Sequence, residues 1–424
     1  MKTNEWKQCI VSGNMDERLI HLYGKGQLEK QRKRYIAILD ESLNLFGEEE
    51  GFLFSAPGRT EIGGNHTDHQ LGKVLAASLN LDAVAYVSKR EDGIICYKAK
   101  GFSVKDVNCL DLAICEEEKN TTESLIRGVC AGFVKRGYQA GGFNCYADSE
   151  VLSGSGMSSS ACFEVLLGTI LNVLFNEGKV SSVDIAKIGQ YAENVYFMKN
   201  SGLLDQMACS VGSFAFMDFQ DSENPYVEKV SFDPNEYGYD LILTDVRASH
   251  ADLSDEYSLV PAEMKAVAHV LGQEVLGTCS LEQVISNARN IREKCGDRAF
   301  LRAYHFCNET RRAELEAEYL KKKDIKAFLK EVNASGQSSW MYLQNISAPN
   351  DAKHQAIAVA LALSESMLKE DGAWRVHGGG FAGTIQAYVP TDKTQNYISL
   401  MESVFGKDCC YQLAIRDCGG IQVM

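Results

Sequence analysis

One segment of the chain, Ser55 to Val74, concentrates the residue types that bind polar ligands. Its twenty residues, SAPGRTEIGGNHTDHQLGKV, include an arginine, two carboxylates, two histidines, an asparagine and four glycines. Glycine reaches backbone conformations closed to other residues and lets a ligand approach the main chain. Arg59, Asn65 and Asp68 supply donors and acceptors for a polyhydroxylated ligand. Since a plain surface turn needs only one or two special residues, the segment predicts a ligand-binding site.

A second segment, SGSGMSSS at residues 153–160, predicts phosphate binding, because it joins a predicted strand to a strongly apolar helix. Glycines let the backbone close round an anion, and the helix N-terminus adds a partial positive charge. The hydroxyls of Ser158, Ser159 and Ser160 could bond phosphate oxygens or ligate magnesium. A plain helix cap with a flexible lead-in is the alternative. The sequence lacks a Walker A motif, the protein-kinase signatures and the G-x-S-x-G elbow of serine hydrolases.

Two carboxylates follow on and after the next predicted helix, with Glu193 twelve residues before Asp205. Helical periodicity places Glu193 on a face with Ala186 and Gly189, where small residues allow another element or a ligand to approach. A solvated helix charge is the alternative for Glu193. Asp205 lies in an apolar setting, where an unpaired charge would be costly. Both carboxylates are therefore candidates for a functional site.

The length, net charge and cysteine distribution of the chain limit the class of protein to which it can belong. Its 424 residues exceed the size of a single hydrophobic core, so two domains are expected. The net charge of −14 disfavours nucleic-acid and membrane partners. No signal peptide and no run of eighteen apolar residues occurs, and the fourteen cysteines are scattered, which is typical of reduced thiols. We therefore expect a cytoplasmic protein, without a zinc site and active as a monomer.

The predicted elements place these segments in order along the chain. Strands are predicted from hydrophobic alternation and turn residues, helices from 3.6-residue periodicity and caps. The strands are 52–56, 74–92, 94–100 (after a hairpin turn at Asp92-Gly93), 142–149 and 239–246, and the helices include parts of 15–48, residues 123–136 capped by Thr122, the one after the serine run, and 182–200. We place the domain boundary in DFQDSENP, giving domains 1–225 and 226–424.

Three segments together resemble the GHMP family of small-molecule kinases. APGRTEIGGNHTDHQ resembles the galactokinase signature G-R-V-N-L-I-G-E-H-T-D-Y, LSGSGMSSSACFE resembles P-x-G-x-G-L-S-S-S-A, and HGGGFAG resembles G-G-G-F-G-G. The motifs occur in family order. The resemblance implies an α+β fold of two domains, an N-terminal ribosomal-protein-S5-like domain and a C-terminal ferredoxin-like domain, with the active site between them. It implies an ATP-dependent sugar 1-kinase, most simply a galactokinase.

The resemblance also implies roles for individual residues. Asp205 would lie beside the reacting hydroxyl and Arg59 would hold it ionised, while Ser160 and Glu193 would bind Mg²⁺. The sugar would be bound by a further set: Asn65, His66, Thr67, Asp68 and Tyr257. Structural hydrogen bonding is the alternative for His66. The phosphates of ATP would be bound by the loop Gly154, Ser155, Gly156, Met157, Ser158, Ser159 and Ser160.

Departures from the signature concern the sugar and not the phosphate. Asn65 replaces a glutamate, Glu61 an asparagine and Gly63 a bulky aliphatic residue. A neutral amide no longer repels a carboxylate and a glycine makes room, so galacturonate, N-acetylgalactosamine and L-arabinose are alternative substrates. A non-catalytic sensor of galactose and ATP is a second alternative. Such sensors resemble the family but lack a Ser-Ala pair after the serine run, and this chain has that pair as Ser160-Ala161. A zinc hydrolase using His66 and His69 is a third.

Overall fold

The structure, a computed structural model, describes residues 1–151, 157–199, 201–248, 253–348 and 351–424. The first part of the chain contains α1 (Thr3–Val11), α2 (Asp16–Tyr23), α3 (Leu28–Phe46), β1 (Phe52–Gly63), β2 (Lys73–Lys89), β3 (Ile94–Ala99), β4 (Val107–Asn108), α4 (Thr122–Lys135), β5 (Phe143–Ser149), α5 (Ser159–Asn176), α6 (Ser182–Tyr191), α7 (Leu204–Val211), β6 (Phe214–Asp218) and β7 (Tyr226–Val230). The predicted strands and helices of this part are present. The cap of α4 is corrected by one residue, because the Thr121 hydroxyl, and not that of Thr122, accepts the Ser124 amide.

The second part of the chain contains β8 (Tyr239–Asp245), α8 (Ser254–Val270), α9 (Leu281–Ser286), α10 (Ala288–Cys295), α11 (Asp297–Lys321), α12 (Ile325–Ser338), α13 (Ala356–Leu368), β9 (Ala373–His377), β10 (Thr384–Pro390), α14 (Thr394–Phe405), β11 (Cys410–Leu413) and β12 (Ile421–Gln422). Four of these strands form an antiparallel sheet in the order β11-β8-β10-β9. The glycine-rich motif HGGGFAG forms the connection between β9 and β10. It therefore lies at one end of this second sheet.

The first sheet has the order β12-β1-β2-β5-β3-β4, with β6 and β7 joined to β2. The Asp92-Gly93 turn is present, since the Asp92 carboxylate accepts the Ile94 amide, but the predicted hairpin is wrong. β5 lies between β2 and β3, pairing antiparallel with the former and parallel with the latter. The turn chemistry of Asp92-Gly93 is local, whereas insertion of the buried strand β5 is decided by packing far along the chain.

The two sheets share apolar packing. One continuous cluster of buried residues contains Phe54 and Phe143 of the first sheet together with Leu243 and Tyr388 of the second. β7 begins at Tyr226 and pairs with β6, so the first sheet extends beyond the boundary predicted at residue 225. The last strand, β12, also returns to the first sheet beside β1. The ends of both sheets are therefore held in a fixed relation, which positions residues that are far apart in sequence.

Two helices carry the residues that follow the serine run. α5 is long and apolar enough for a membrane span by length and composition, but 61% of it is buried inside the protein, where it packs on β1 and α6. α6 ends at Tyr191 and continues as a π-helical turn, Ala192–Tyr196, and not as the regular helix predicted to residue 200. Such turns are frequent at functional sites because they redirect a side chain. This one carries Glu193.

Candidate active site

Arg59 of β1 and Asp205 of α7 form an ion pair, with Arg59 Nε 2.7 Å from Asp205 Oδ1. The Ser158 hydroxyl donates to Asp205 Oδ2. Burial raises the pKa of Asp205, but the charge and hydrogen bond of Arg59 outweigh it, so that this pKa lies below its usual value. Both predicted catalytic residues are thus brought together, and Asp205 is an ionised acceptor.

Glu193 and Ser160 also meet. The Ser160 hydroxyl donates to Glu193 Oε1 at 3.0 Å, and the Glu193 side chain is almost completely buried. Gln206 Nε2 donates to Glu193 Oε2 at 2.8 Å. Lys199 Nζ lies 2.9 Å from Glu193 Oε1, so the carboxylate already has one cation beside it. A hydroxyl and a carboxylate in contact are oxygen ligands of the kind that Mg²⁺ prefers, and this donor set fits the ion.

Sequence reasoning missed the residues that support Glu193. Lys199 follows the π-helical turn, and no motif quoted for the resemblance marks it. Gln206 donates at 3.0 Å to Glu164 as well as to Glu193. Glu164 is fully buried, and burial together with the nearby Glu193 raises its pKa well above the usual value. The absence of a side chain at Gly189 leaves room for the Glu164 carboxyl group, because a methyl group at residue 189 would lie 3.0 Å from Glu164 Oε2.

Asn65 has protein partners for its whole amide. Its Nδ2 donates to Glu61 Oε1 and to the Gly378 carbonyl, each at 2.8 Å. Its Oδ1 accepts hydrogen bonds from Ser339 Oγ at 3.2 Å and Asn345 Nδ2 at 2.9 Å. An amide has two N–H donors and two acceptor lone pairs. The amide predicted to bind sugar therefore holds the signature segment against the C-terminal elements.

Thr67 and His66 lie beside Asn65. The Thr67 hydroxyl, fully buried, contacts the carbonyls of Gly64 at 2.8 Å and Lys73 at 2.7 Å. His66 Nε2 lies 3.0 Å from the Gly379 carbonyl, so Nε2 carries the proton and donates. Burial lowers the pKa of His66 to about 4, which leaves the imidazole neutral with Nδ1 as an acceptor. Thr67 thus shapes the turn, while His66 offers one hydrogen-bonding atom to a ligand.

Asp68 is partly exposed at the other end of the segment. Burial raises its pKa to about 6, and the negative charge of Asp205 contributes to the increase. The backbone of Gly202 passes against it, since a methyl group at Gly202 would lie 1.9 Å from Asp68 Oδ2. Two predicted site carboxylates, Asp68 and Asp205, are therefore close enough to influence each other.

The other two departures from the signature also have partners in the protein. Glu61 Oε1 accepts from Arg375 Nη2 at 2.7 Å, and both side chains are buried. Gly63 does not leave an open space, because a methyl group there would lie 1.7 Å from Glu316 Oε2. Glu316 is fully buried on α11, and burial raises its pKa well above the usual value. The expectation that Gly63 makes room for a sugar is thus wrong, since Glu316 fills that room.

A cavity of about 270 Å³ joins the serine run to the glycine-rich connection. Its wall includes Arg59, Ser159, Ser160, Lys199 and Tyr257. The Tyr257 hydroxyl donates to the Gly380 carbonyl at 2.6 Å. Donors and cations therefore dominate one side of the cavity, as an anionic ligand requires.

The predicted phosphate loop is only partly described. Gly154, Ser155 and Gly156 lie outside the described residues. Met157 is fully buried and its carbonyl accepts the Arg59 amide at 3.4 Å. Ser158 precedes α5, whose first residues, Ser159 and Ser160, place their amides at the helix N-terminus.

The zinc alternative has little support in the geometry. Within the described ranges, the one group of three potential ligands that come close together is His21, Asp417 and Cys418. His66 and His69 are not part of it. Their rings instead pack edge to face, with centroids 5.7 Å apart.

Comparisons with known proteins agree with the three motifs. Residues 43–89 match the galactokinase galactose-binding signature and residues 124–213 match the N-terminal domain of GHMP kinases. The galactokinase of Clostridium tetani is 27% identical over 378 residues, which cover 88% of this chain and 92% of that protein. The galactokinase of Streptomyces coelicolor is 28% identical over 364 residues, covering 85% and 90%.

Solved structures share the fold. Lactococcus lactis galactokinase complexed with galactose superposes with a TM-score of 0.78 at 22% identity, covering 91% of this chain and 99% of that one. Methanococcus jannaschii mevalonate kinase gives 0.61 at 12% identity, covering 86% and 98%. The predicted two-domain α+β kinase fold is confirmed. The comparisons support a galactokinase-type kinase of the GHMP family, a phosphotransferase that acts on a sugar hydroxyl.

Proposed function

We propose that the chain transfers the γ-phosphoryl group of ATP to the anomeric hydroxyl of galactose. The observation that carries this proposal is the pairing of Asp205 with Arg59 and Ser158 beside the Ser160–Glu193 contact. Phosphoryl transfer needs positioning, charge neutralisation and a way to remove the hydroxyl proton. The two contacts supply an acceptor for the proton and oxygen ligands for a metal ion at the start of α5.

In the proposed reaction the anomeric oxygen bonds to the γ-phosphorus as the bond from that phosphorus to the ADP oxygen breaks. The hydroxyl proton passes to Asp205 or to water, and ADP leaves with the bond electrons. Because Arg59 keeps the pKa of Asp205 low, this carboxylate is a weak base, and its main contribution is to align the hydroxyl. Arg59 also stabilises the charge on the transferring group.

Mg²⁺ would be held by Ser160 and Glu193, and when bound it would neutralise charge on the phosphate oxygens. Lys199, already beside Glu193, adds a second positive charge to the same side. Glu193→Gln should raise the Mg²⁺ concentration for half-maximal activity at least tenfold, whereas Glu177→Gln, at an exposed site, should leave it unchanged. Equal Mg²⁺ dependence in both variants would exclude Glu193 as a ligand.

For the sugar, we propose Asp68, His66 and Tyr257 as the residues on the binding side. Asp68 accepts from two neighbouring hydroxyls, and His66 accepts at Nδ1. Asn65 and Thr67 instead act as positioning residues, since their polar groups are bonded within the protein. Two departures suggested other sugars, the amide of Asn65 and the space at Gly63. Both are taken up by contacts within the protein, which favours galactose. The relative from Lactococcus lactis was solved with galactose.

ADP release with Mg²⁺ and ATP tests the proposal on galactose, N-acetylgalactosamine, galacturonate, L-arabinose and glucose. We expect galactose to give the highest kcat/KM by at least tenfold. A higher value for another sugar would keep the kinase mechanism but reassign the substrate. Binding of ATP and sugar without turnover would favour the sensor.

We further propose a cytoplasmic location. All fourteen cysteines are free, and all lie in the described ranges. Free thiols are typical of a reducing compartment. Fractionation of the native cells with an antibody to the chain would test the location.

A further inference from the structure

His377 ends β9 at the wall of the cavity and has one ring nitrogen without a partner. Its Nδ1 lies 2.9 Å from Thr384 Oγ1 on the neighbouring strand. Its Nε2 is buried, and no described residue makes a hydrogen bond with it. The whole residue is 2% exposed. Leaving a buried donor or acceptor unpaired is costly, so such an atom in the wall of a cavity indicates a ligand group.

The surroundings of His377 define the charge of that ligand. Arg59, Ser158, Ser160 and Lys199 line the same cavity. They are donors, two of them cationic, and they lie on the side of the proposed phosphate site. Burial lowers the pKa of His377 well below its usual value, and the positive charges of Arg59 and Arg375 lower it further. The imidazole is therefore neutral, with a single N–H.

The hydrogen bond with Thr384 bears on which ring nitrogen of His377 carries the proton. A threonine hydroxyl can donate as well as accept. When it donates to Nδ1, the imidazole proton is on Nε2, the buried nitrogen that no described residue bonds. Neutral donors directed at a site of developing negative charge stabilise it without carrying a mobile proton.

We propose that His377 donates a hydrogen bond from Nε2 to an oxygen of the phosphoryl group being transferred. The inference rests on the proposed function and adds a third neutral or cationic donor to Arg59 and Lys199 at the phosphate. No motif predicted it, because HGGGFAG was interpreted through its glycines.

Two substitutions distinguish the roles of the two ring nitrogens of His377. The amide nitrogen of glutamine can reach the position of Nε2, whereas that of asparagine reaches only that of Nδ1. We expect His377→Asn to lower kcat about 100-fold with less than threefold change in the KM of the sugar, and His377→Gln to stay within about tenfold of wild type. Equal kcat values for His377→Asn and wild type would overturn the inference, as would equal losses in the two variants.

A measurement on the wild-type protein keeps the test independent of folding in the variants. With ¹⁵N-labelled histidine, the spectrum of eight imidazoles is recorded before and after addition of ADP, Mg²⁺, fluoroaluminate and sugar. We expect one protonated Nε2 to shift, and the His377→Gln spectrum assigns it. An unshifted His377 signal would overturn the inference. Because wild-type ADP release is measured separately, failure of the proposed function would appear as no turnover in any sample.

Discussion

Asn65 donates a hydrogen bond to Glu61 at 2.8 Å, so two of the three residues at which the chain departs from the galactokinase signature in its sugar-recognition segment are in direct contact. The signature has asparagine at the position of Glu61 and glutamate at that of Asn65. The chain has therefore exchanged the carboxylate and the amide within one buried pair. Arg375 then binds the carboxylate at its new position.

This exchange predicts strong coupling between the two positions. Asn65→Glu alone places two carboxylates together in a buried site, and Glu61→Asn alone leaves Arg375 without its carboxylate partner; each should destabilise the fold by about 3 kcal/mol or more. The double variant Glu61→Asn/Asn65→Glu should recover at least half of the summed loss. Chemical denaturation of the four proteins measures the coupling free energy.

The matched control is the exposed contact between Asn4 Nδ2 and Glu48 Oε1, which has a similar length, 3.0 Å. The same exchange there should change the free energy of unfolding by less than about 0.5 kcal/mol. Additive effects at Glu61 and Asn65 would contradict the interpretation of the pair as a unit.

Gly63 and Glu316 predict a second pair effect. Gly63→Ala should destabilise the fold by about 1–3 kcal/mol, because the added methyl group overlaps the buried carboxylate. Glu316→Ala should relieve the overlap, so that the double variant is more stable than the sum of the single losses implies. Thermal unfolding measures both. Gly26→Ala is the control, since no atom lies within 4 Å of a methyl group there, and an equal loss at Gly26 would contradict the steric explanation.

The sequence predicted the residues whose chemical types are distinctive and missed those that packing brings in. Arg59, Asp205, Ser160 and Glu193 occur in motifs, and the structure places them in two contacts. The role of Gly63 could not be predicted, because its neighbour Glu316 is 253 residues away in a helix that looks like an ordinary charged one.

The order of strands was beyond local signals for the same reason. Asp92-Gly93 has the chemistry of a hairpin, yet β5 separates the strands on either side of it. Tertiary pairing over about fifty residues decided that order, and turn propensity is a local property. Likewise, helical periodicity placed Glu193 on a helix but could not predict the π-helical turn that aims it at Ser160.

Asp68 predicts how sugar binding depends on pH. Its pKa of about 6 means that the carboxylate is ionised above that pH and protonated below it. Only the ionised form can accept hydrogen bonds from two sugar hydroxyls at both oxygens. We therefore expect the KM for the sugar to be constant above about pH 7 and to rise about tenfold for each unit below about pH 6.

Steady-state kinetics with saturating ATP at several pH values measure this profile, with kcat as the internal control. Asp68→Asn should have a raised KM at every pH and should lose the dependence. His66, whose pKa is lowered to about 4, does not titrate in this range. A KM profile that is flat down to about pH 5 would contradict the role of Asp68.

Asp205→Asn tests the alignment of the reacting hydroxyl. The amide is isosteric, so the contacts with Arg59 and Ser158 are weakened but not vacated, and binding of ATP and sugar should change by less than about threefold. Turnover should fall by about 10³-fold, because the amide neither accepts the proton nor balances the charge of Arg59. Calorimetric titration measures binding and ADP release measures turnover. Asp218→Asn, at a surface ion pair with Lys73, serves as the control and should behave as wild type. Turnover of Asp205→Asn near that of wild type would remove this carboxylate from the mechanism and leave charge stabilisation by Arg59 and the metal ligands to account for the rate.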